Sequence, residues 1–285
     1  MLRLAVLGYP IAHSVSPDLH QAALDTLGIE GRYEAWAVSP ADLPAAVQRL
    51  RDEGYTGANV TVPHKEAVVP LVDSLDPSAA VVAAVNTLVR DGGRLVGHNT
   101  DGIGFLRSLR EEVGWDPMGR TALLLGAGGA ARGVAAALLQ AGVASVTLAN
   151  RHRERALWLV EEVRARAPDA DVRAASLDPE ELEVLMARTD LLVNCTSVGM
   201  RHGPAAGDLP LPAGLLVPGL LVADLVYNPQ ETPLLQAARE RGLRVLGGLG
   251  MLVYQGAAAF HLWTGREAPV AAMRRAAEQA LATRP

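Results

Sequence analysis

The chain has 285 residues, of which 49% are hydrophobic and 20% charged, and its formal net charge is −5 at pH 7. This length and composition indicate a globular protein with a sizeable core, built as one large domain or two ordinary ones. The negative charge and the lack of a long apolar run argue against nucleic-acid binding, membrane binding, a transmembrane helix and a signal peptide.

Cys195 is the only cysteine, which excludes an internal disulfide and a cysteine-based metal cluster. Histidine and the acidic residues show no metal-ligand spacing, so we predict no metal site. A cytosolic protein is the simplest interpretation, and the sequence leaves the oligomeric state open, a homodimer included.

Strand-like and helix-like segments alternate over the first hundred residues. Strands are predicted at 3–8, 33–38 and 57–62, and helices within 16–28 and 40–54. The first helix has Ser16 as its predicted N-cap, Pro17 at its first position and Gly28 just past its end. The third strand alternates apolar with polar residues until Pro63 stops it.

Polar residues then gather at predicted strand ends and loops. The stretch 84–102 reads as two short strands joined through Asp91-Gly92-Gly93. Candidate functional groups in this half of the chain are those of Ser14 to Ser16, Thr61 to Lys65, Asn86 and Asp101. Sites are commonly built from such positions.

From about residue 120 the pattern becomes a regular series of apolar strands separated by helices. The strands are predicted at 121–126, 145–150, 171–176, 190–195, 220–225 and 243–248. This series predicts a parallel sheet covered on both faces, which is a doubly wound fold. Two further helices, at 250–265 and 268–282, close the chain.

A glycine-rich turn follows the first strand of this series. In the stretch LLLGAGGAARGVAAALL, Gly126, Gly128 and Ala131 fit the pattern G-x-G-x-x-G/A between a strand and a helix. Such a turn presents free backbone N–H groups at a helix N-terminus to a pyrophosphate. We therefore predict nucleotide binding, with a merely structural glycine turn as the alternative.

The end of the next strand bears on the choice of nucleotide. An NAD enzyme places Asp or Glu about twenty residues after the glycine turn, on the ribose 2′-hydroxyl. Here the strand ends in Asn150, followed by Arg151, Arg153 and Arg155, which can grip a 2′-phosphate. We expect NADP rather than NAD, the alternative being that these arginines only solvate the first turn of a helix.

Eight short blocks resemble those of the shikimate dehydrogenase family, in the family's order from Gly8 to Gly256. They read GYPIAHSVSP, NVTVPHK, AVNTL, GHNTDG, GAGGAARG, NCTSVGM, DLVYNP and GLGMLVYQG. The resemblance implies reversible reduction of 3-dehydroshikimate to shikimate with NADPH, in the biosynthesis of chorismate and the aromatic amino acids.

The same resemblance implies a set of site residues. The serines Ser14 and Ser16 would hold the substrate carboxylate, assisted by Tyr227. The groups around the ring hydroxyls would be Thr61, Lys65, Asn86, Asp101 and Gln255. Those on the cofactor would be Gly126, Ala127, Gly128, Gly129, Ala130, Asn150, Arg151, Arg155, Thr196, Gly248 and Met251. The chain departs from the family pattern at His152 and Arg155, where the family has threonine and lysine.

Lys65 is the only lysine among 26 basic residues of the Lys and Arg types. Codon bias is one explanation; the other is that a lysine amine can exchange a proton, whereas a guanidinium does not. The family pattern makes Lys65, paired with Asp101, the acid that protonates the ketone oxygen as hydride arrives. A water positioned by Lys65 is the alternative proton donor, and N-capping of the following helix is an alternative role for Asp101.

Several reactive residues are predicted to be structural. His13, His64 and His98 lie inside the matched blocks, but the family assigns the chemistry to lysine and aspartate. Cys195 is expected to be a small core residue. Met251 either lines the nicotinamide pocket or only packs.

We predict two α/β domains: a substrate-binding catalytic domain at 1–101 and a Rossmann-type NADP-binding domain at 102–246. The helices of 247–285 are expected to return to the substrate domain, with the active site in the cleft between the domains. The alternatives are a shikimate/quinate dehydrogenase with relaxed cofactor use, a dehydrogenase of another substrate on the same plan, and a catalytically silent NADP-binding regulator.

Overall fold

The computed structural model describes residues 1–283 and divides the chain into two compact α/β units. The first consists of Met1–Gly104 together with the chain from Val253 onward, and the second is Phe105–Leu252. Within residues 1–283, no helix combines the length and the apolar character needed to cross a membrane.

The first unit is built on a mixed six-stranded sheet of order β2-β1-β3-β5-β6-β4. The strands are β1 (Leu2–Gly8), β2 (Gly31–Ala37), β3 (Gly57–Val60), β4 (Ser74–Leu75), β5 (Thr87–Asp91) and β6 (Arg94–His98). The helices that follow them in the chain are α1 (Ser16–Thr26), α2 (Leu43–Asp52), α3 (Pro77–Ala80) and α4 (Asp101–Val113). From Phe105 onward, α4 belongs to the second unit. β1 runs parallel to β2 and β3, whereas β5 is antiparallel to both β3 and β6.

Strand alternation divides the side chains of this sheet between two faces. On one face, residues such as Leu7 and Ala58 pack with the α2 residues Val47 and Leu50. The other face carries Leu4, Val6 and Tyr33, which pack with Ala259 and Trp263 from the C-terminal part of the chain. Asn59, the polar residue of β3, therefore points toward this second face, where it meets Tyr33.

The start of α1 differs from the sequence prediction. Val15, not Ser16, is the N-cap residue, because the Val15 carbonyl accepts from the N–H of Leu19 at 3.1 Å and Ser16 already lies in the helix. The N–H of Ser16 is bonded to Oγ of Ser14 at 3.3 Å. At the other end of the helix, Gly28 takes a φ of +62° just past the C-cap, as predicted.

The second unit is built on a six-stranded parallel sheet of order β12-β11-β10-β7-β8-β9. Its strands are β7 (Thr121–Leu125), β8 (Ser145–Ala149), β9 (Val172–Ala175), β10 (Leu191–Asn194), β11 (Leu221–Asp224) and β12 (Arg244–Leu246). Its helices are α5 (Gly129–Gln140), α6 (Arg153–Arg166), α7 (Pro179–Met186) and α8 (Pro233–Glu240). Two more helices follow, α9 (Gly248–Thr264) and α10 (Val270–Thr283).

Successive residues of β7 enter cores on opposite faces of this sheet. Leu124 packs with Val134 and Leu138 of α5, whereas Leu123 packs with residues such as Leu192 and Val222 on the other face. The chain order reverses at β7, whose neighbours are β8 and β10, and ligands of such sheets bind at the carboxyl ends beside that reversal. The predicted doubly wound fold is confirmed.

Candidate active site

Lys65 and Asp101 form a close ion pair in the first unit. Nζ of Lys65 lies 2.6 Å from Oδ2 of Asp101, and the two side chains are 15% and 4% exposed. Lys65 comes from the loop after β3, and Asp101 is the first residue of α4. The pair thus joins a cation that keeps some access to the surface to a carboxylate that is nearly buried.

The side-chain amide of Asn86 holds the second oxygen of this carboxylate. Its Nδ2 donates to Oδ1 of Asp101 at 2.8 Å and also lies 3.0 Å from Oγ1 of Thr100 and 3.3 Å from Oε1 of Gln255. Lys65 and Asn86 therefore engage both oxygens of the Asp101 carboxylate. Gln255, from α9, thus meets the predicted substrate set.

Backbone contacts fix the loop that carries Lys65. Its carbonyl accepts from the N–H of Val85 at 2.7 Å, and the neighbouring His64 side chain bonds through Nε2 to the carbonyl of Val38 at 2.7 Å. A carbonyl only accepts, so Nε2 of His64 carries the proton. Thr61, at the start of the loop, is half-buried and donates its N–H to the carbonyl of Leu7.

The three histidines of the predicted blocks differ in their surroundings. His64 is buried and anchors the Lys65 loop to the end of β2, which is a structural contact. His98 has Nδ1 3.6 Å from Oδ1 of Asp76, and burial lowers the pKa of His98 although Asp76 acts in the opposite direction. His13 is exposed.

Ser14 and Ser16 lie together at the start of α1. Their link is the 3.3 Å bond from the N–H of Ser16 to Oγ of Ser14, in a turn closed by the bond from Ser14 N–H to the Ile11 carbonyl. Ser16 is 9% exposed, and Ser14 is half-buried. The two hydroxyls stand at the positive end of a helix dipole, which suits an anion.

Tyr227 belongs to the second unit, where it follows β11 and is half-buried. The preceding Asp224 is held by three donors: Nδ2 of Asn194 at 2.9 Å, the N–H of Val226 at 3.0 Å and the Thr232 hydroxyl at 2.7 Å. Burial raises the pKa of Asp224 to about 6. This network ties the ends of β10 and β11 together beneath the segment that carries Tyr227.

The glycine turn has the strand–turn–helix context that its pattern predicts. Gly126 follows β7 with a φ of +107°, and a Cβ placed there would come within 3.1 Å of Cγ2 of Thr196. At Gly128, the N-cap of α5, a Cβ would meet nothing within 4 Å. The N–H groups of Gly129, Ala130 and Ala131 precede the first bond of the helix, which runs from Arg132 N–H to the Gly128 carbonyl. Open space beside free donors fits a pyrophosphate.

The other predicted cofactor residues lie at the same edge of the second sheet or at the start of α9. Thr196 follows β10, and both its N–H and its hydroxyl donate to Oδ1 of Asn194. Gly248 lies so close to the residue that follows β11 that a Cβ there would be 2.4 Å from the Leu225 carbonyl oxygen. Met251 is 8% exposed and packs in the core of the second unit, so a packing role is observed and its role beside nicotinamide stays a prediction. Ala127 is buried.

The arginine cluster follows β8, next to the glycine turn. The N–H of Gly126 bonds to the carbonyl of Ala149 at 2.8 Å, so the following Asn150 begins beside that turn. Nδ2 of Asn150 donates to the His152 carbonyl at 2.9 Å, which shapes the loop into α6. Arg151 and Arg155 are exposed, as are His152 and Arg153. Their guanidiniums are accessible to an anion.

The sequence prediction missed the polar residues beneath this site. Asn59 and Thr87 are cross-strand partners on β3 and β5, and both are buried in contact with Asn86. Thr100 contacts the same amide. One signal was present: the dipeptide Asn-Thr occurs twice, at 86–87 and 99–100, in two of the matched blocks.

The comparisons with known proteins agree with this architecture. Family profiles described as the shikimate dehydrogenase substrate binding domain, shikimate / quinate 5-dehydrogenase and the shikimate 5'-dehydrogenase C-terminal domain match residues 6–88, 110–200 and 248–278. A curated relative from Moorella thermoacetica, named shikimate dehydrogenase (NADP(+)), is 51% identical over 98% of this chain and 93% of its own length. The chain belongs to the shikimate dehydrogenase family.

Solved structures of this family superpose on nearly the whole chain. The shikimate 5-dehydrogenase of Thermus thermophilus, in complex with NADP(H) and shikimate, has a TM-score of 0.85 and 44% identity, over 98% of this chain and all of its own. A quinate dehydrogenase from Corynebacterium glutamicum, in complex with NAD, has a TM-score of 0.87 at 33% identity, over 96% of this chain and 98% of its own. The predicted family resemblance is confirmed, and the fold alone does not separate the two activities.

Proposed function

We propose that this chain is an NADP-dependent oxidoreductase that reversibly reduces 3-dehydroshikimate to shikimate. The observation that carries the proposal is the Lys65–Asp101 pair, at 2.6 Å, surrounded by the amides of Asn86 and Gln255. A polyhydroxylated ring needs several neutral donors and acceptors, and a ketone that becomes an alcohol needs an acid beside its oxygen. This site supplies both.

The residues divide the work between binding and proton transfer. Ser14 and Ser16, with Tyr227, bind the substrate carboxylate, and Thr61, Asn86 and Gln255 bind the ring hydroxyls. Lys65 donates the proton to the ketone oxygen during reduction and takes it back during oxidation. Asp101 holds the Lys65 ammonium in place and stabilises its charge.

The second unit binds the cofactor, whose reduced form NADPH would supply the hydride for reduction and whose oxidised form NADP would accept it during oxidation. The open space at Gly128 and the free N–H groups that follow it accept the pyrophosphate. Asn150, Arg151 and Arg155 accept the 2′-phosphate, with Arg155 replacing the lysine of the family pattern. Thr196, Gly248 and Met251 shape the remainder of the cofactor site.

The decisive experiment is the initial rate of cofactor reduction with shikimate and with quinate, each with NADP and with NAD. Fast turnover with shikimate and NADP alone supports the substrate and cofactor assignments together. Comparable rates with quinate or NAD would assign the chain to the relaxed subclass, and no turnover with any pair would contradict the enzyme function.

The quinate alternative receives less support than the shikimate assignment. The absence of an acidic side chain at Asn150 favours a 2′-phosphate over a free 2′-hydroxyl. The curated relatives from Moorella thermoacetica and Symbiobacterium thermophilum are both named shikimate dehydrogenase (NADP(+)), at 51% and 49% identity. A cytosolic location, a homodimer and the cofactor residues' individual roles stay predictions.

A further inference from the structure

Below the Lys65–Asp101 pair, four buried hydrogen bonds lead from Tyr33 to Asp101 with every donor pointing the same way. The Tyr33 hydroxyl donates to Oδ1 of Asn59 at 2.7 Å, and Nδ2 of Asn59 donates to Oγ1 of Thr87 at 3.2 Å. The Thr87 hydroxyl donates to Oδ1 of Asn86 at 2.9 Å, and Nδ2 of Asn86 donates to Oδ1 of Asp101 at 2.8 Å. We call this series the donor chain.

Backbone groups set the direction of the donor chain. The N–H of Thr100, which can only donate, lies 2.8 Å from Oδ1 of Asn86 and so fixes the orientation of that amide. The backbone carbonyl of Asn86, which can only accept, lies 3.2 Å from Nδ2 of Asn59. This contact fixes the orientation of the Asn59 side-chain amide. Because both amides are fixed, Tyr33 must donate to Asn59, and the Thr87 hydroxyl, which accepts from Asn59, has its proton available for Asn86 at 2.9 Å. Oγ1 of Thr100 is a more distant neighbour of this hydroxyl, at 3.4 Å.

Water has little access to these bonds. Tyr33 is 7% exposed, Asn59 6%, Asn86 2% and Thr87 0%. In such surroundings hydrogen bonds are stronger than in water, and bonds in series polarise one another. The donor chain therefore delivers aligned dipoles to one oxygen of the Asp101 carboxylate.

The two titratable groups at the far end keep the donor chain neutral near pH 7. Burial raises the pKa of Tyr33 well above its ordinary value, so its hydroxyl keeps its proton. The His20 ring stacks on Tyr33 with 4.5 Å between ring centroids. Burial lowers the pKa of His20 to about 3, with Asn59 acting in the opposite direction, so this ring is uncharged. At the other end, Lys65 is the charged group that faces Asp101.

We propose that Tyr33 and Asn59 are positioning residues that act through the donor chain to hold the negative charge of Asp101 against Lys65. This inference rests on the proposed function. It assigns a role in the reaction to two residues outside the predicted substrate set, which they influence through Thr87 and Asn86.

The test compares Tyr33→Phe with a matched control, Tyr55→Phe. Tyr33→Phe removes the first donor and keeps the ring that stacks on His20. Tyr55 is 1% exposed and lies in the same unit, and its hydroxyl donates to Oε2 of Glu34 at 2.6 Å, outside the donor chain. Tyr33→Phe loses one hydroxyl hydrogen bond, whereas Tyr55→Phe loses the bond to Glu34 and also the bond that Tyr55 accepts from Arg3 at 3.0 Å. The control therefore carries at least as much structural damage, and a kinetic effect confined to Tyr33→Phe is not explained by a lost hydroxyl alone.

Tyr33→Phe is expected to lower kcat for shikimate oxidation about three- to tenfold, the worth of one hydrogen bond transmitted to the carboxylate. The pH below which kcat/KM for shikimate falls is expected to move upward, and KM for NADP to stay unchanged. In Tyr55→Phe all three quantities stay at their wild-type values. Identical kinetics and pH profiles in the two variants would overturn the inference.

A second comparison tests whether the bonds act in series. Thr87→Val breaks the donor chain in its middle, so adding Tyr33→Phe to it should change neither kcat nor the pH profile further. If instead the fold-losses in kcat of the two single variants multiply in the double variant, Tyr33 acts by another route.

A spectroscopic measurement separates this inference from the proposed function. Because Lys65 is the only lysine, labelling lysine with ¹⁵N at Nζ gives a protein with one lysine side-chain resonance. This resonance is expected to shift in Tyr33→Phe and not in Tyr55→Phe. An unmoved Lys65 resonance in Tyr33→Phe would overturn the proposed role of the donor chain even if the wild type oxidises shikimate. A shifted resonance would support that role even if another substrate proves correct.

Discussion

Nζ of Lys65 lies 2.6 Å from Oδ2 of Asp101, although the two residues are 36 positions apart in the chain. The strand β3 ends before one of them, and the helix α4 begins at the other. Their pairing is therefore a property of the sheet order, in which β3 and β6 flank β5, run in the same direction and end at the same edge of the sheet. A side chain at the Lys65 position can keep this ion pair and still differ in its ability to release a proton.

Lys65→Arg and Lys65→Met separate charge from proton transfer. Arginine keeps the positive charge beside Asp101 but does not exchange its proton, so both variants are expected to lower kcat about 100-fold or more. The measurement is kcat for shikimate oxidation across the accessible pH range, with denaturant unfolding as the control for folding. Near-normal turnover in Lys65→Arg would show that charge suffices and that a positioned water transfers the proton.

Gly126→Ala and Gly128→Ala distinguish a glycine needed for folding from one needed for the cofactor. At Gly126 the φ of +107° and the nearby Thr196 strain an alanine, which is expected to cost about 1–3 kcal/mol of stability. At Gly128 the φ of −97° and the open space allow an alanine at a cost of about 1 kcal/mol or less.

The methyl group of Gly128→Ala would nevertheless occupy the space assigned to the pyrophosphate. KM for NADP is therefore expected to rise about tenfold or more, while the free energy of unfolding stays close to that of the wild type. Unchanged KM in Gly128→Ala would place the pyrophosphate elsewhere.

Charge reversal at the start of α6 tests the 2′-phosphate site. Arg155→Glu is expected to raise KM for NADP about 10- to 100-fold, the worth of one charge-assisted hydrogen bond, and to leave KM for NAD nearly unchanged. Arg166→Glu is the matched control, because Arg166 is exposed at the other end of the same helix. An equal effect on NADP and NAD would mean that Arg155 does not contact the 2′-phosphate. His152→Thr restores the family hydroxyl and is expected to strengthen NADP binding.

The buried carboxyl of Asp224 makes folding stability dependent on pH. Burial raises its pKa from 3.8 to about 6, so the folded state favours the protonated form. This contribution to stability is fully present below the unfolded pKa and is lost as the pH rises through about 6. Between pH 4 and pH 8 the loss is about 2 kcal/mol.

Asp224→Asn removes this titrating group. Denaturant unfolding of the variant is expected to show a smaller loss of stability between pH 4 and pH 8 than the wild type shows. The exposed Asp208→Asn serves as the control for a carboxylate outside the core. Parallel stability profiles for wild type and Asp224→Asn would contradict the buried-carboxyl interpretation.

The sequence predicts the long and periodic elements of this fold well. The six strands of the second sheet and the glycine turn follow from apolar runs and from Gly126 and Gly128. The two-residue strand β4, Ser74–Leu75, is too short to show any period, and the position of Ser16 depends on the turn that precedes α1. Local sequence patterns do not predict the bounds of an element where tertiary hydrogen bonds determine the backbone conformation.

The candidate site divides in the same way. Lys65, Asn86 and Asp101 lie in quoted blocks, and the structure brings them together with Gln255. Asn59 and Thr87 lie in two of the same blocks, but they were missed because their importance depends on the β3–β5 register, which pairs them across the sheet. Their sequence signal, a polar residue beside apolar neighbours in a strand, is shared by any strand with one solvated face.

The Lys65–Asp101 pair is neutral in sum, and the rest of the proposed substrate set consists of hydroxyl and amide groups. An anionic substrate would therefore reach this set with little long-range attraction, whereas NADP would approach the exposed guanidiniums of Arg151 and Arg155. Mobile ions screen exposed charges over about 10 Å at moderate salt, and they leave neutral hydrogen-bonding groups largely unaffected. Raising the ionic strength should thus increase KM for NADP markedly and KM for shikimate only slightly, which gives one enzyme two substrates with different sensitivities to the salt content of its surroundings.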